Sequence, residues 1–203
     1  MKIAIIGVTG NVGRCILAEA LSRGHTVTGI ARDISKVAPQ VGLTLVSGDV
    51  NISGALAPLL AGHDAVVSSI HFSASDPQLL IGAVRRSGVK RYLVVGGAGS
   101  LEIAPGKLLV EAPNFPKEYF KEASLGKAFL DLLRSVTDLD WTMLSPSALF
   151  IAGERTGVFR LGDDTLLTAA DGKSWISYED FLIALLDEIE APKHIKSRFT
   201  IGY

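Results

Sequence analysis

The segment Gly7-Val8-Thr9-Gly10-Asn11-Val12-Gly13 constrains this chain more than any other. A short apolar run, Lys2–Ile6, precedes it. After it comes a stretch with helical spacing, Asn11–Ser22, in which Val12, Ile16, Leu17 and Ala20 share a face and Gly24 is a stop signal. A strand-to-helix turn of this kind uses its glycines for different purposes. Gly7 permits the bend, Gly10 lets backbone approach a diphosphate, and Gly13 lets helix and strand pack closely. The helix start then offers unpaired N–H groups and the positive end of its dipole to phosphates. Thr9, Asn11 and Val12 complete the expected phosphate loop. The alternative is a tight turn that binds nothing; the strand before it and the helix after it favour binding.

Apolar runs and helical stretches alternate through most of the chain. Lys2–Ile6, Thr26–Ala31, Leu43–Val46, Asp64–Ile70, Arg91–Val95 and Asp140–Leu144 are short and rich in Val, Ile and Leu, as suits parallel strands buried on both faces. Asn11–Ser22, Pro77–Ser87 and Lys117–Ser135 read as helices between them. This alternation predicts a doubly wound, mostly parallel α/β sheet. The pattern loosens after Pro146. Gly153, Gly157 and Gly162 fall among short strand candidates before a helix at Tyr178–Ile189, capped by Ser177, and a last strand at Phe199–Ile201. The expectation is one domain over residues 1–203, with residues 146–203 contributing a small C-terminal substrate lobe.

Composition excludes several classes. The 203 residues, 48% of them hydrophobic, are ample for a real core. Twenty Lys and Arg against 21 Asp and Glu leave a formal charge of −1, without the basic surplus a nucleic-acid binder needs. A single cysteine, Cys15, excludes an intrachain disulfide framework and suits a reducing compartment. No apolar run approaches the roughly 18 residues that cross a bilayer, and the stretch before Gly7 is too short for a signal peptide. The chain is therefore expected to be cytoplasmic, with a small-molecule partner and neither nucleic acid nor membrane. Its four scattered histidines, His25, His63, His71 and His194, give no metal-ligand spacing. No feature assigns an oligomeric state.

The spacing Gly-x-x-Gly-x-x-Gly, with Thr9 before the second glycine, resembles the short-chain dehydrogenase/reductase superfamily, especially its extended and atypical branches. Ala31-Arg32-Asp33, Gly48-Asp49-Val50, Val94 to Leu101 and Ser145-Pro146-Ser147 are similar to its NAD(P)H-binding group that includes flavin reductases, biliverdin-IXβ-type reductases and NmrA-like proteins. The resemblance covers most of the chain and implies a Rossmann fold.

A carboxylate at the end of the second strand marks an NAD site, through the ribose 2′-hydroxyl. Here Arg32 follows Ala31, and a guanidinium suits a 2′-phosphate. Arg14 lies on the same side. Asp33 is the complication, since a small shift lets it meet the 2′-hydroxyl, and Arg32 also reads as a solvated loop charge. NADP is favoured, with NAD open. The resemblance implies that Asp49 and the Val50 amide read adenine; the competing reading is a turn in which Asp49 bonds its own backbone. Ser68, Ser69 and Ile70 end the fourth strand and are expected beside the cofactor.

Most of the superfamily reduces carbonyls with a Tyr-x-x-x-Lys pair. Tyr92, Tyr119 and Tyr178 are followed four residues on by Gly96, Ala123 and Leu182, and Tyr203 ends the given sequence, so no pair exists. Lys127 has Ala123 at the partner position, with Tyr119 two turns upstream; Lys127 reads equally well as a helix-surface charge. Hydride transfer to a flavin needs no such tyrosine. Ser100, after Gly96-Gly97-Ala98-Gly99, is a candidate hydrogen-bond donor to the acceptor, with the glycines, Gly97 among them, leaving floor space over the nicotinamide. A flexible glycine turn is the competing reading. His71, Tyr119 and Lys127 complete the catalytic candidates, with Phe72 a stacking candidate, and Pro146 is expected along the nicotinamide. Leu101–Pro116, with three prolines, reads as a loop or lid over the site. The expected function is an NAD(P)H-dependent reductase acting on a flavin, quinone or linear tetrapyrrole. The alternatives are an NmrA-like redox sensor and an epimerase- or dehydratase-like protein.

Overall fold

A computed structural model describes residues 1–52 and 54–203. The apolar runs form β1 (Lys2–Ile6), β2 (Thr26–Ala31), β3 (Leu43–Ser47), β4 (Ala65–Ser68) and β5 (Arg91–Val95), separated by α1 (Asn11–Ser22), α2 (Leu56–Leu60) and α3 (Pro77–Ser87). The hairpin β6 (Glu102–Ala104) and β7 (Lys107–Leu108) follows, then α4 (Lys117–Arg134) and β8 (Asp140–Pro146). The chain finishes through β9 (Leu149–Ile151), β10 (Arg160–Gly162), β11 (Trp175–Ser177), α5 (Tyr178–Glu190) and β12 (Ser197–Gly202).

The main sheet has eight strands in the order β10-β12-β8-β5-β4-β1-β2-β3. The pairs β3–β2, β2–β1, β1–β4, β4–β5 and β8–β12 are parallel, and β10 runs antiparallel to its neighbour β12. This is the doubly wound Rossmann-type α/β sheet. Contacts divide the chain into two compact units, Met1–Val94 with Asp138–Trp141, and Val95–Thr137 with Thr142–Tyr203. The whole segment expected as a lobe lies in the second unit, together with residues 95–137.

In the first unit, Ile3, Ile5, Ile6, Val66, Val67, Leu93 and Val94 are buried, as central parallel strands require. Helix α1 packs Ile16, Leu17 and Ala20 inward. Helix α3 starts where Asp76 accepts from the Gln78 amide at 2.8 Å, with Pro77 in its first turn, and stops at Gly88, whose φ is 81°. Arg85 grips Asp138 through two hydrogen bonds of 2.8 and 2.7 Å, and this pairing holds the Asp138 carboxyl below its usual range.

In the second unit, α4 buries Gly126, Phe129, Leu130 and Leu133. Helix α5 is fastened at both ends. Ser177 caps its start by accepting from the Asp180 amide at 3.1 Å. Near its end the buried Glu188 carboxylate accepts from the amides of Lys193 and His194 at 3.1 and 2.9 Å, and meets His194 Nδ1 at 2.8 Å. Leu101–Pro116 is not a free lid. Leu101 and Val110 are buried. The Glu102 amide donates to the Asp164 carbonyl at 2.8 Å and the Glu102 carbonyl accepts from Leu166 at 2.9 Å, so the segment is pinned as the β6–β7 hairpin. Its prolines mark the turns around that hairpin rather than a mobile strap. Trp141 is core in the first unit, and in the second Trp175 packs on Tyr203 with ring centroids 4.3 Å apart.

Among the described residues, no helix is long and apolar enough to cross a membrane. None of their His, Cys, Asp and Glu side chains form a group of three able to hold a metal ion.

Candidate functional site

A cleft in the first unit opens where β1, β2, β3 and β4 end. Gly7, Thr9 and Gly10 of the glycine loop line it, with Arg32 after β2, Gly48 to Asn51 after β3, and Ser69, Ile70, His71 and Ala74 after β4. The loop geometry explains its glycines. Gly7 has φ +89°, and a Cβ there would overlap the Ser69 carbonyl oxygen. At Gly13 a Cβ would overlap the Gly7 carbonyl, because the helix start packs directly on the loop. A Cβ on Gly10 would meet only the Gly7 oxygen, at 3.4 Å, so protein packing does not demand this glycine. Its open face is free for a close ligand. Gly10 is also the N-cap of α1 without a side-chain cap, and no acidic residue stands in the first turn. The first intrahelical bond is donated by Arg14 to Gly10 O at 2.9 Å. The amides of Asn11, Val12 and Gly13 therefore precede the helical ladder, the donor set an anion would satisfy.

The three charged candidates at the end of β2 and the start of α1 have separate surroundings. Arg32 lines the cleft, and its carbonyl accepts from Ser47 Oγ at 3.0 Å. Arg14 is exposed but committed to backbone: Nε donates to Thr9 O at 3.2 Å and a terminal nitrogen to Lys36 O at 3.0 Å. It clamps the glycine loop to the Ile34–Lys36 turn and is not among the cleft-lining residues. Asp33 caps that turn, accepting from the Ser35 amide at 3.1 Å and hydroxyl at 2.6 Å. Those bonds hold its carboxyl below the ordinary value.

Asp49 makes the local turn and also lines the cleft. Oδ1 accepts from the Asn51 amide at 2.9 Å, closing a local turn, while the residue still faces the cleft beside Val50. Asn51, not foreseen from sequence, donates through Nδ2 to Ala74 O at 3.1 Å and joins the two loops that wall the cleft. Its position directly after Asp49-Val50 was the available signal. Ser68 does not reach the cleft. It is buried in β4 with its hydroxyl 3.0 Å from Tyr92 OH, a phenol that burial pushes up. Ser69, Ile70 and His71, one to three residues further on, do line it.

The remaining candidates belong to the second unit. Gly97 is the N-cap of the 3-10 turn Ala98–Ser100. Ser100 is buried, with Oγ 3.4 Å from the Arg198 guanidinium, which also ion-pairs with Asp164. Gly99 serves packing rather than open floor: a Cβ there would stand 2.7 Å from the Ala123 Cβ of α4. Tyr119 is exposed, and Lys127 donates to Asp131 at 2.7 Å along the same helix. Pro146 is buried at the end of β8, in register with Ile201.

Comparison with known proteins gives this architecture its relatives. A family profile described as NAD(P)H-binding matches residues 7–188. The uncharacterized protein YwnB of Bacillus subtilis is 41% identical, over 99% of this chain and 98% of its own length. A solved structure from Bacteroides thetaiotaomicron, provisionally named an epimerase, is 38% identical with a TM-score of 0.95, covering 100% of this chain and 96% of that one. A Streptococcus pneumoniae structure, provisionally named an NADH-flavin reductase, is 36% identical with a TM-score of 0.86, covering 100% and 99%. The chain thus belongs to the NAD(P)H-binding family.

Proposed function

We propose that this chain is an NADPH-dependent reductase whose acceptor is a flavin or a comparable planar molecule, such as a quinone or linear tetrapyrrole. The observation that carries the reading is the cleft itself, where an open glycine face, uncommitted helix-start amides and an arginine converge. Bound there, NADPH supplies a hydride. The chain's residues do the rest. The amides of Asn11, Val12 and Gly13 hold the diphosphate over Gly10, and Arg32 donates to a 2′-phosphate. Asp49 accepts from the adenine amine, and the Val50 amide donates to a ring nitrogen. An electron-poor planar acceptor takes its protons from solvent, so no tyrosine acid is required. The name given to the Streptococcus pneumoniae relative supports this acceptor class. An epimerase reading lacks support in the residues, because Ala123 occupies the place of the tyrosine and Lys127 is paired with Asp131.

Purified protein mixed with NADPH and FMN, FAD or quinones should oxidise the nucleotide. Tight binding that distinguishes reduced from oxidised nucleotide, with no turnover on any acceptor, would establish the NmrA-like sensor reading instead. Arg32→Ala should weaken NADPH binding by roughly 1.5–3 kcal/mol more than NADH binding. Equal losses, measured by calorimetry, would remove Arg32 from the 2′ position.

A further inference from the structure

Arg32 and Asp33 are adjacent, opposite in charge, and both follow the last residue of β2. Only Arg32 lines the cleft. The reason is local. Both oxygens of Asp33 are engaged on its own turn: Oδ1 accepts from the Ser35 amide and hydroxyl at 3.1 and 2.6 Å, and Lys36 Nζ lies 3.7 Å from Oδ2. Arg14 also ties this turn to the glycine loop, donating to Lys36 O at 3.0 Å. The neighbouring Arg32 carbonyl is fixed by Ser47.

The chemical consequence follows from charge. A carboxylate free at the end of β2 accepts from an unphosphorylated ribose hydroxyl and repels a phosphate in the same place. A carboxylate drawn into its own turn keeps its charge but is withheld from the ribose hydroxyl, and the guanidinium beside it faces the cleft instead. We propose that Ser35 is a positioning residue for cofactor selectivity: it holds Asp33 away from the nucleotide cleft and leaves Arg32 to set the preference for the phosphorylated dinucleotide. The inference rests on the nucleotide reading above and adds to it a residue that touches no ligand.

The test is calorimetric binding of NADPH and NADH to the full chain and to Ser35→Ala, Asp33→Asn, Ser35→Thr and the Ser35→Ala/Asp33→Asn double variant. The unaltered chain prefers NADPH. Ser35→Ala moves the ratio of the two dissociation constants toward NADH by about tenfold, the scale of one hydrogen bond to a charged group. Ser35→Thr, which keeps the hydroxyl, retains the original ratio. In the Asp33→Asn background the Ser35→Ala change has no further effect, an outcome that a general loosening of the turn would not give. The proposal is overturned by an unchanged ratio in Ser35→Ala, by the same shift with and without Asp33, or by an unaltered chain that favours NADH. Failure of the unaltered chain to bind either nucleotide is a different result and sinks the cleft assignment itself.

Discussion

Gly10 and Gly13 stand three residues apart in one loop, and the same methyl group should affect them differently. At Gly13 it overlaps the Gly7 carbonyl, and backbone cannot retreat as a side chain can. Gly13→Ala should cost about 3 kcal/mol in stability, visible as a melting point lower by roughly 6–12 °C. At Gly10 the methyl meets one atom at 3.4 Å, and the backbone φ of −72° suits any L-residue. Gly10→Ala should therefore melt within about 2–4 °C of the unaltered chain, a change of about 1 kcal/mol, yet bind NADPH at least about tenfold more weakly as the methyl enters the diphosphate's space. Parallel melts and titrations separate the two. The sequence showed both glycines but not this difference, because the Gly7 carbonyl's direction depends on the loop's folded path. The same limit applies to the serines. Ser68 ends β4 and Ser100 lies in the turn after β5, as expected, but their hydroxyls meet Tyr92 and Arg198, 24 and 98 residues away in the chain, and no local pattern announces such partners.

Among the elements, α5 depends on Ser177 more than a routine cap would imply. Its Oγ accepts from the Asp180 amide at 3.1 Å, donates to Glu154 O at 2.9 Å, and lies 2.8 Å from Tyr203 OH. Ser177→Ala removes the cap and leaves the buried Asp180 amide without its acceptor, so a loss of about 1–2 kcal/mol is expected, read as a fall in melting point of roughly 2–8 °C. Ser177→Thr should recover most of it. The long elements were legible because their periodicity survives over many residues: α1 and α3 begin and end where their apolar spacing, Pro77 and Gly88 place them, and β1, β2 and β5 match their apolar runs. The short ones were not. Helix α2 is a single turn of five residues, too brief to show a period, and β6 with β7 is a hairpin whose strands are half-exposed. Prolines near that hairpin read as loop, whereas its attachment to Asp164 and Leu166 comes from chain some 60 residues further on.

At the scale of the whole molecule, acid is the natural stress. Burial works to raise both Asp180 and Glu188, but hydrogen bonds outweigh it and leave both carboxyls below their ordinary values. For Asp180 these come from Thr156, the Gly157 amide and Tyr203; for Glu188 from the His194 and Lys193 amides and the His194 ring. A carboxyl with a depressed folded value contributes stability that is complete above its unfolded value, about 4, and is lost as pH falls through the folded value. Urea midpoints should hold between pH 7 and about 5 and then decline steeply. Asp180→Asn should lower the midpoint at neutral pH and flatten that decline; an unchanged slope would show that Asp180 does not drive it. A last consequence concerns which reactions lie within mutational reach. The backbone of the Ala98–Ser100 turn rides so closely on Ala123 that a Cβ at Gly99 would stand 2.7 Å away. Ala123→Tyr, which restores the sequence pattern of a carbonyl reductase, should therefore cost about 3 kcal/mol in stability, read from its melting curve, and give no alcohol oxidation. Placing an acid there means moving a helix, so a carbonyl reductase's chemistry does not lie one substitution away.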